Sequence, residues 1–369
     1  MAKRTALTCM QVHGFVDTVF EGDVHAKRVL SLASATLSVM ESASLAVHAI
    51  GQGLARVRGL KTKHAVKQVD RLLSNQGVDV WEYFAYWVPH VVGDRKQIAV
   101  VLDWTDFDAD DQITLALHLV TPHGRSTPLL WLTVRKSELK GTRNDHEDRL
   151  LYRLRECLPE SVSVTVVADR GFADQKLLAF VRETLGFDYL IRLRGNIQVT
   201  SASEETRPAA AWVGTGGRAR VLRNAAITKQ QSLVPTIVCV QAKGMQQAWC
   251  LASSDPRAKA AELVRLYAKR WTIETSFRDT KDLRFGLKLR STRISDPGRR
   301  DRLLLLSALA MVLLTLLGQA GERVGLDRWL KANTVKRRTH SLFLQGCMHY
   351  ELIPNMPERD LEPLMKAFH

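Results

Sequence analysis

The stretch YAKRWTIETSFRDTK, from Tyr267 to Lys281, holds four side chains of types that do chemistry. Tyr267, Arg270, Glu274 and Lys281 stand at offsets 0, +3, +7 and +14. In one continuous helix, at about 100° per residue, they fall within an arc of roughly 60°. One face would then carry a phenol, a guanidinium, a carboxylate and an ammonium, with the carboxylate in the middle. A stripe turned to the core would be apolar instead, while a solvated face fits the same spacing.

Two further acids follow apolar runs: Asp103 in VVLDWTDFD and Asp169 in VVADRGF. Both runs read as short buried strands, and strand ends are where open α/β sheets place their sites. Taken singly, each Asp could be a turn former or a helix N-cap. Asp106, Asp108, Asp110 and Asp111 compete with Asp103, which is preferred because it directly ends the apolar run. Arg170 is expected to be a local partner of Asp169. If Glu274 packs beside Asp103 and Asp169, three carboxylates repel one another unless cations lie between them. A pair of divalent ions is the economical explanation, and carboxylate-plus-water sites suit Mg²⁺ or Mn²⁺. Two such ions about 3.5–4 Å apart can activate a water and stabilise the leaving oxygen of a phosphodiester.

The elements that must position these acids are legible in outline. Residues 1–92 read as helical. Within them two short helices flank a Gly-containing turn, the second carrying Arg71, Lys67 and other cations beside an apolar stripe of Val66, Val69, Leu72 and Leu73. This is a candidate helix-turn-helix reader of DNA. Strands are expected at 98–103, 111–120, 125–136, 161–169 and 187–193, with helices at 146–158 and 173–185. That β-β-β-α-β-α-β order implies a mixed sheet with helices on its faces. A β-rich insertion, about 194–255, precedes the helix bearing Glu274. Beyond it, an apolar helix near 301–319 opens a helical C-terminal region, 301–369.

Composition narrows the partner. The 369-residue chain suggests two or three domains, and carries a formal charge of +15 with a pI near 9.8. Between Pro256 and His340 there are 20 Lys/Arg against 8 Asp/Glu, a net of +12 around the Glu274 helix. A polyanion, most simply nucleic acid, is the expected partner. The five cysteines are scattered without zinc-site spacing or a disulfide framework, as expected of a reducing cytosol. The opening MAKRTALTCMQVHGF lacks the long apolar run of a leader, and the run at 303–317 is short for a bilayer span. A cytoplasmic, nucleoid-associated protein with no membrane partner is expected.

The chain resembles the DDE transposases of bacterial insertion sequences, in the insertion-sequence-four family. Their signature of Tyr, two residues, Arg, three residues, Glu, six residues and Lys is matched by Tyr267, Arg270, Glu274 and Lys281. Asp103 in DWT and Asp169 in ADRGF match the first and second acids, and the resemblance covers roughly residues 98–290. It implies a ribonuclease-H-like catalytic domain over 93–300, between a DNA-binding region at 1–92 and a C-terminal region that could dimerise. It implies that Asp103, Asp169 and Glu274 hold two Mg²⁺ ions, with Mn²⁺ as a substitute. Tyr267, Arg270 and Lys281 would grip DNA phosphates, and Trp249 would stack a flipped base. Trp271 is expected to pack, and Trp104 is left open.

The expected activity is hydrolysis at the element's ends, followed by transfer of the freed 3′-hydroxyl into target DNA. The expected partners are the terminal inverted repeats, the target duplex and a second copy of the chain in the synaptic complex. Two alternatives stand beside this: an endonuclease of the same fold without strand transfer, and a non-catalytic DNA-binding protein derived from a transposase. Tyr267 as a recombinase-type nucleophile is disfavoured, because no cluster of catalytic arginines accompanies it.

Overall fold

A computed structural model describes residues 7–20, 22–281, 287–289 and 293–368. The extreme N-terminal residues 1–6, and Arg290 at the end of the resembling stretch, lie outside it. Five helices open the chain: α1 (Cys9–Phe20), α2 (Ala26–Ser42), α3 (Val47–Arg58), α4 (Thr62–Ser74) and α5 (Val80–Val92). Helix α3 ends at Gly59, whose φ of 63° supplies the left-handed residue that closes a helix. Asp79 caps α5 by accepting from the backbone N–H groups of Trp81 and Glu82.

The centre is one ten-stranded sheet. Its strands are β1 (Gln97–Phe107), β2 (Gln112–Leu119), β3 (Thr127–Arg135), β4 (Ser163–Ala168), β5 (Asp188–Leu193), β6 (Gln198–Thr200), β7 (Thr206–Pro208), β8 (Arg220–Ile227), β9 (Ser232–Val240) and β10 (Trp249–Ser253). The order is β3-β2-β1-β4-β5-β10-β9-β8-β6-β7. Strand β4 pairs in parallel with β1 and β5, while the other neighbours run antiparallel. The first five strands form the expected ribonuclease-H-like mixed sheet. The β-rich stretch that follows extends this same sheet, because β10 docks on β5 in register Ala252↔Ile191.

The two faces of the sheet are unequal. One lies on a core that runs from the N-terminal helices through Leu102, Val166 and Ile191 to the apolar helix α10 (Pro297–Arg323). The other presents Val101, Val167, Leu190 and Leu251 to two helices, α8 (Ala260–Ala268) and α9 (Trp271–Lys281). Leu263 and Tyr267 from α8 and Ile273 from α9 are buried there. Each such aliphatic side chain contributes about 1.5–3 kcal/mol on burial. Helix α6 (Arg143–Cys157) buries Leu150, Leu151 and Leu154, and the helix expected at 173–185 is regular only over α7 (Gln175–Ala179) before widening into an i→i+5 turn at Phe180–Thr184.

Helix α10 is long and apolar enough to cross a membrane, but 72% of its most apolar stretch is buried inside the fold. It packs against α2, α11 (Leu342–Leu352), α12 (Glu358–Phe368) and β3. Gly318 and Gly346 sit where a Cβ would meet opposing backbone at under 2 Å, so α10 and α11 touch main chain to main chain.

Candidate active site

Strand alternation decides where the acids point. Val101 and Val167 are register partners on the face covered by α8 and α9. Two residues further along each chain, Asp103 and Asp169 share that face, because side chains alternate with a period of 2. Asp103 does not end its strand as expected. It lies within β1, which continues to Phe107 as a hairpin with β2. What ends at Asp103 is the pairing with β4, whose last register pair is Leu102↔Ala168. The acid thus sits where the parallel neighbour leaves the sheet, and there the chain opens a cleft. Asp169 follows β4 directly and accepts from the backbone N–H of Gly171 at 2.7 Å. A Cβ on Gly171 would stand 2.9 Å from that carboxylate oxygen, so a larger residue there would push the Asp169 carboxylate aside.

The segment bearing Glu274 is not the single helix that its spacing suggests. Helix α8 ends at Ala268, α9 begins at Trp271, and i→i+3 bonds tighten the joint between them. No Gly or Pro marks this break. Arg270 stands in it and bridges two acids, with Nη1 3.3 Å from Asp103 Oδ2 and Nη2 2.6 Å from Glu274 Oε1. Helix α9 is pinned to the β2–β3 connection by the Arg125–Asp279 ion pair and by Ser276 Oγ, which donates to the Ser126 carbonyl at 3.0 Å. Asp103, Asp169, Glu274 and Arg270 therefore line one open cleft of about 470 Å³, together with Trp104, Thr105, Phe277, Arg278 and Lys281.

Burial pushes the Asp103 carboxyl up to about 6. Arg270 opposes that rise, while the neighbouring Asp169 and Glu274 carboxylates add to it. Asp103 thus lies within electrostatic reach of both other acids, with Arg270 as the offsetting positive charge. The donor set is all oxygen, which fits hard divalent cations such as Mg²⁺. Among the described residues no three acidic, imidazole or thiol side chains stand close enough to share one ion as they are placed; a guanidinium lies between two of them.

The neighbouring acids are engaged elsewhere. Lys136 pairs with Asp106 at 2.8 Å and with Asp108, Arg300 pairs with Asp110 at 2.5 Å, and Asp111 accepts from the Ser137 N–H. Arg170 hydrogen-bonds Gln247, so the expected local pairing with Asp169 gives way to the Gly171 contact. Lys281 is buried, donating to Thr105 and to the Asp106 carbonyl at 2.8 Å, with its ammonium 4.2 Å from the Phe107 ring centre.

Tyr267 and Trp249 do not line the cleft. Tyr267 is 2% exposed beneath it, its phenol near Arg270 and Arg192. Trp249, half-buried at the start of β10, meets Tyr267 edge-on at 4.9 Å. Trp271 does not pack as expected: it is 53% exposed, with the Arg270 guanidinium over its ring at 5.1 Å. The cleft also holds three residues that the sequence did not single out, Thr105, Phe277 and Arg278. Arg278 lies one turn beyond Glu274, a spacing that could have revealed it. Phe277 was hidden by its ordinary apolar type.

A family model described as the transposase DDE domain matches residues 94–313, from the start of the sheet into α10. The chain belongs to this family of DDE transposases. No curated protein matches it. Membership brings transposition and DNA binding with it in general terms, and the transposase domain coincides with the sheet, the two helices over it and the cleft between them.

Proposed function

We propose that the chain is a cut-and-paste transposase of the insertion-sequence-four group, acting at the cleft lined by Asp103, Asp169 and Glu274. The observation that carries this reading is that three acids far apart in sequence, from β1, from the end of β4 and from α9, line one cleft with three cations. Asp103, Asp169 and Glu274 would hold two Mg²⁺ ions, or Mn²⁺ in their place, which when bound supply an activated water and stabilise the leaving oxygen. Arg270, Arg278 and Lys281 neutralise the phosphates of the transposon end. The elements lining the cleft, β1, the end of β4 and α9, hold the acids in fixed relation, so that attacking and leaving groups line up. Hydrolysis frees a 3′-hydroxyl, which then attacks a target phosphodiester at the same acids. Tyr267 supports Arg270 from beneath, and Trp249 stacks a flipped base once the buried edge of the cleft opens to DNA.

The wider assignment follows the same division of the chain. Residues 1–92 bind the terminal inverted repeats, 93–300 form the catalytic domain with its β-rich extension at about 194–255, and 301–369 contribute to a synaptic homodimer in the bacterial nucleoid. The N-terminal contribution is supported by a cleft between α2, α3 and α4 lined by Lys27, Arg28, Arg58 and Arg71. The deciding experiment is Mg²⁺-dependent cleavage of the DNA flanking the gene by wild type, Asp103→Ala and Glu274→Gln. Both variants should lose about 10³-fold or more, the several kcal/mol that such charge stabilisation supplies. Equal cutting by wild type and Asp103→Ala would overturn the assignment. Pre-cleaved ends separate strand transfer from simple nuclease action.

A further inference from the structure

We propose that Arg270 is a built-in cation that a divalent ion entering the cleft must displace, and that the same displacement frees its guanidinium for a DNA phosphate. The proposal rests on the metal-dependent reading above and gives Arg270 a positioning role within it. One guanidinium spans two of the three acids, at 3.3 Å from Asp103 Oδ2 and 2.6 Å from Glu274 Oε1. These are carboxylate oxygens of the set an ion would need, so guanidinium and ion compete for the same ligands. The side chain is 9% exposed, and its Nε is buried without a hydrogen-bond partner. The bridging position therefore leaves one donor unsatisfied, a cost that departure from the acids relieves.

Arg270 also occupies the joint between α8 and α9, where i→i+3 turns replace regular helix. Beside it, the exposed Trp271 offers its ring 5.1 Å from the guanidinium, a cation–π surface next to the cleft-lining arginine. The guanidinium makes this contact while it bridges the acids, so the ring stays within its reach when it turns toward a phosphate. Coupling of this kind is reciprocal: if the ion releases Arg270 for DNA, DNA raises affinity for the ion.

The test is Mn²⁺ binding to the full chain, followed by the electron paramagnetic resonance of the free ion, for wild type, Arg270→Met, Arg270→Lys and Arg278→Met. Arg278 lines the same cleft and has no ion pair with the three acids among the described residues, so it controls for simple removal of positive charge. Arg270→Met should bind Mn²⁺ about tenfold tighter than wild type, the scale of one charge-assisted contact, with Arg278→Met within about threefold. Arg270→Lys, which keeps the charge but not the fork, should show a smaller gain in the same direction. Adding DNA of the element's end should tighten Mn²⁺ binding to wild type and do so less for Arg270→Met. Equal or weaker binding by Arg270→Met and Arg270→Lys, or an equal gain for Arg278→Met, overturns the proposal while leaving the metal site intact. If no form takes up Mn²⁺, the metal reading itself has failed, and this proposal with it.

Discussion

The indole N–H of Trp104 donates to Glu147 Oε1 at 2.8 Å, tying the residue next to Asp103 to a buried carboxylate on α6. The same oxygen accepts from Arg143 Nε at 3.0 Å, and the Arg143 guanidinium lies 5.3 Å from the Trp104 ring centre. Glu147 therefore holds strand β1 to α6 beside the cleft, and its burial raises its own carboxyl above the usual range. Replacing Glu147 with Ala leaves the indole donor unpaired and should cost about 1–3 kcal/mol in urea unfolding. Glu147→Gln keeps an acceptor for Trp104 and should cost less than Glu147→Ala.

Stability should fall as pH rises through the titration of Asp301. Burial pushes its carboxyl up to about 7, against the opposing hydrogen bond from the Thr133 N–H at 3.1 Å and the nearby charges of Arg300 and Arg302. An acid whose folded pKa lies above its unfolded value of about 3.9 binds its proton more tightly in the native state. The stabilisation is complete below about pH 4 and is lost as pH climbs to about 7. The residue retains some exposure, so solvent recovers part of the effect and about 1–3 kcal/mol remains. Asp301→Asn removes the titrating group, so the variant should gain on wild type between pH 4 and 7 in paired unfolding curves. A constant difference across that range would exclude Asp301 as the source.

How much of this was legible in the sequence varies from residue to residue. Asp169 could be placed because its strand is parallel and buried on both faces, which makes an unbroken apolar run. The end of β1 was placed four residues early at Asp103, since β1 passes from pairing with β4 and β2 together to pairing with β2 alone and nothing local marks the change. The break before Trp271 was invisible because Ala268, Lys269 and Arg270 are ordinary helix formers. What accompanies it is tertiary: Arg270 reaches Asp103, 167 positions away. The continuity of ten strands was equally hidden, because the joining of β5 to β10 is a long-range pairing that periodicity does not encode.

Trp249 and Trp271 should respond differently to truncation. Trp249 meets Tyr267 edge-on over the small core beneath the cleft, so Trp249→Ala should destabilise by about 0.5–1.5 kcal/mol from that ring pair, with lost burial in addition. Trp271 is mostly exposed, and Trp271→Ala should leave stability within about 0.5 kcal/mol. If its ring meets an unstacked base at the cleft rim, the same change should weaken binding of DNA with an unpaired end by about 1–3 kcal/mol. Thermal unfolding and fluorescence anisotropy on both variants separate packing from contact.

The N-terminal helices should bind DNA through the cleft between them more than through the outer face of α4. Lys27 and Arg28 from α2, Arg58 from α3 and Arg71 from α4 line that cleft with Gln68 and Asn75. None of the four cations has an ion pair among the described residues; Arg58 donates instead to Ser34 Oγ at 3.3 Å. Cations converging from three helices suit a phosphate backbone, and each contact releases counterions on binding. Lys63 and Lys67 are exposed on α4 but do not line the cleft. The double variant Arg28→Gln, Arg71→Gln should reduce the slope of log K against log salt by about 1.8, at about 0.9 per phosphate contact. The matched pair Lys63→Gln, Lys67→Gln should change it by less than about 1. Anisotropy titrations of the full chain across a salt series measure both slopes, and a larger loss for the Lys63 and Lys67 pair would move the DNA path to the outer face of α4.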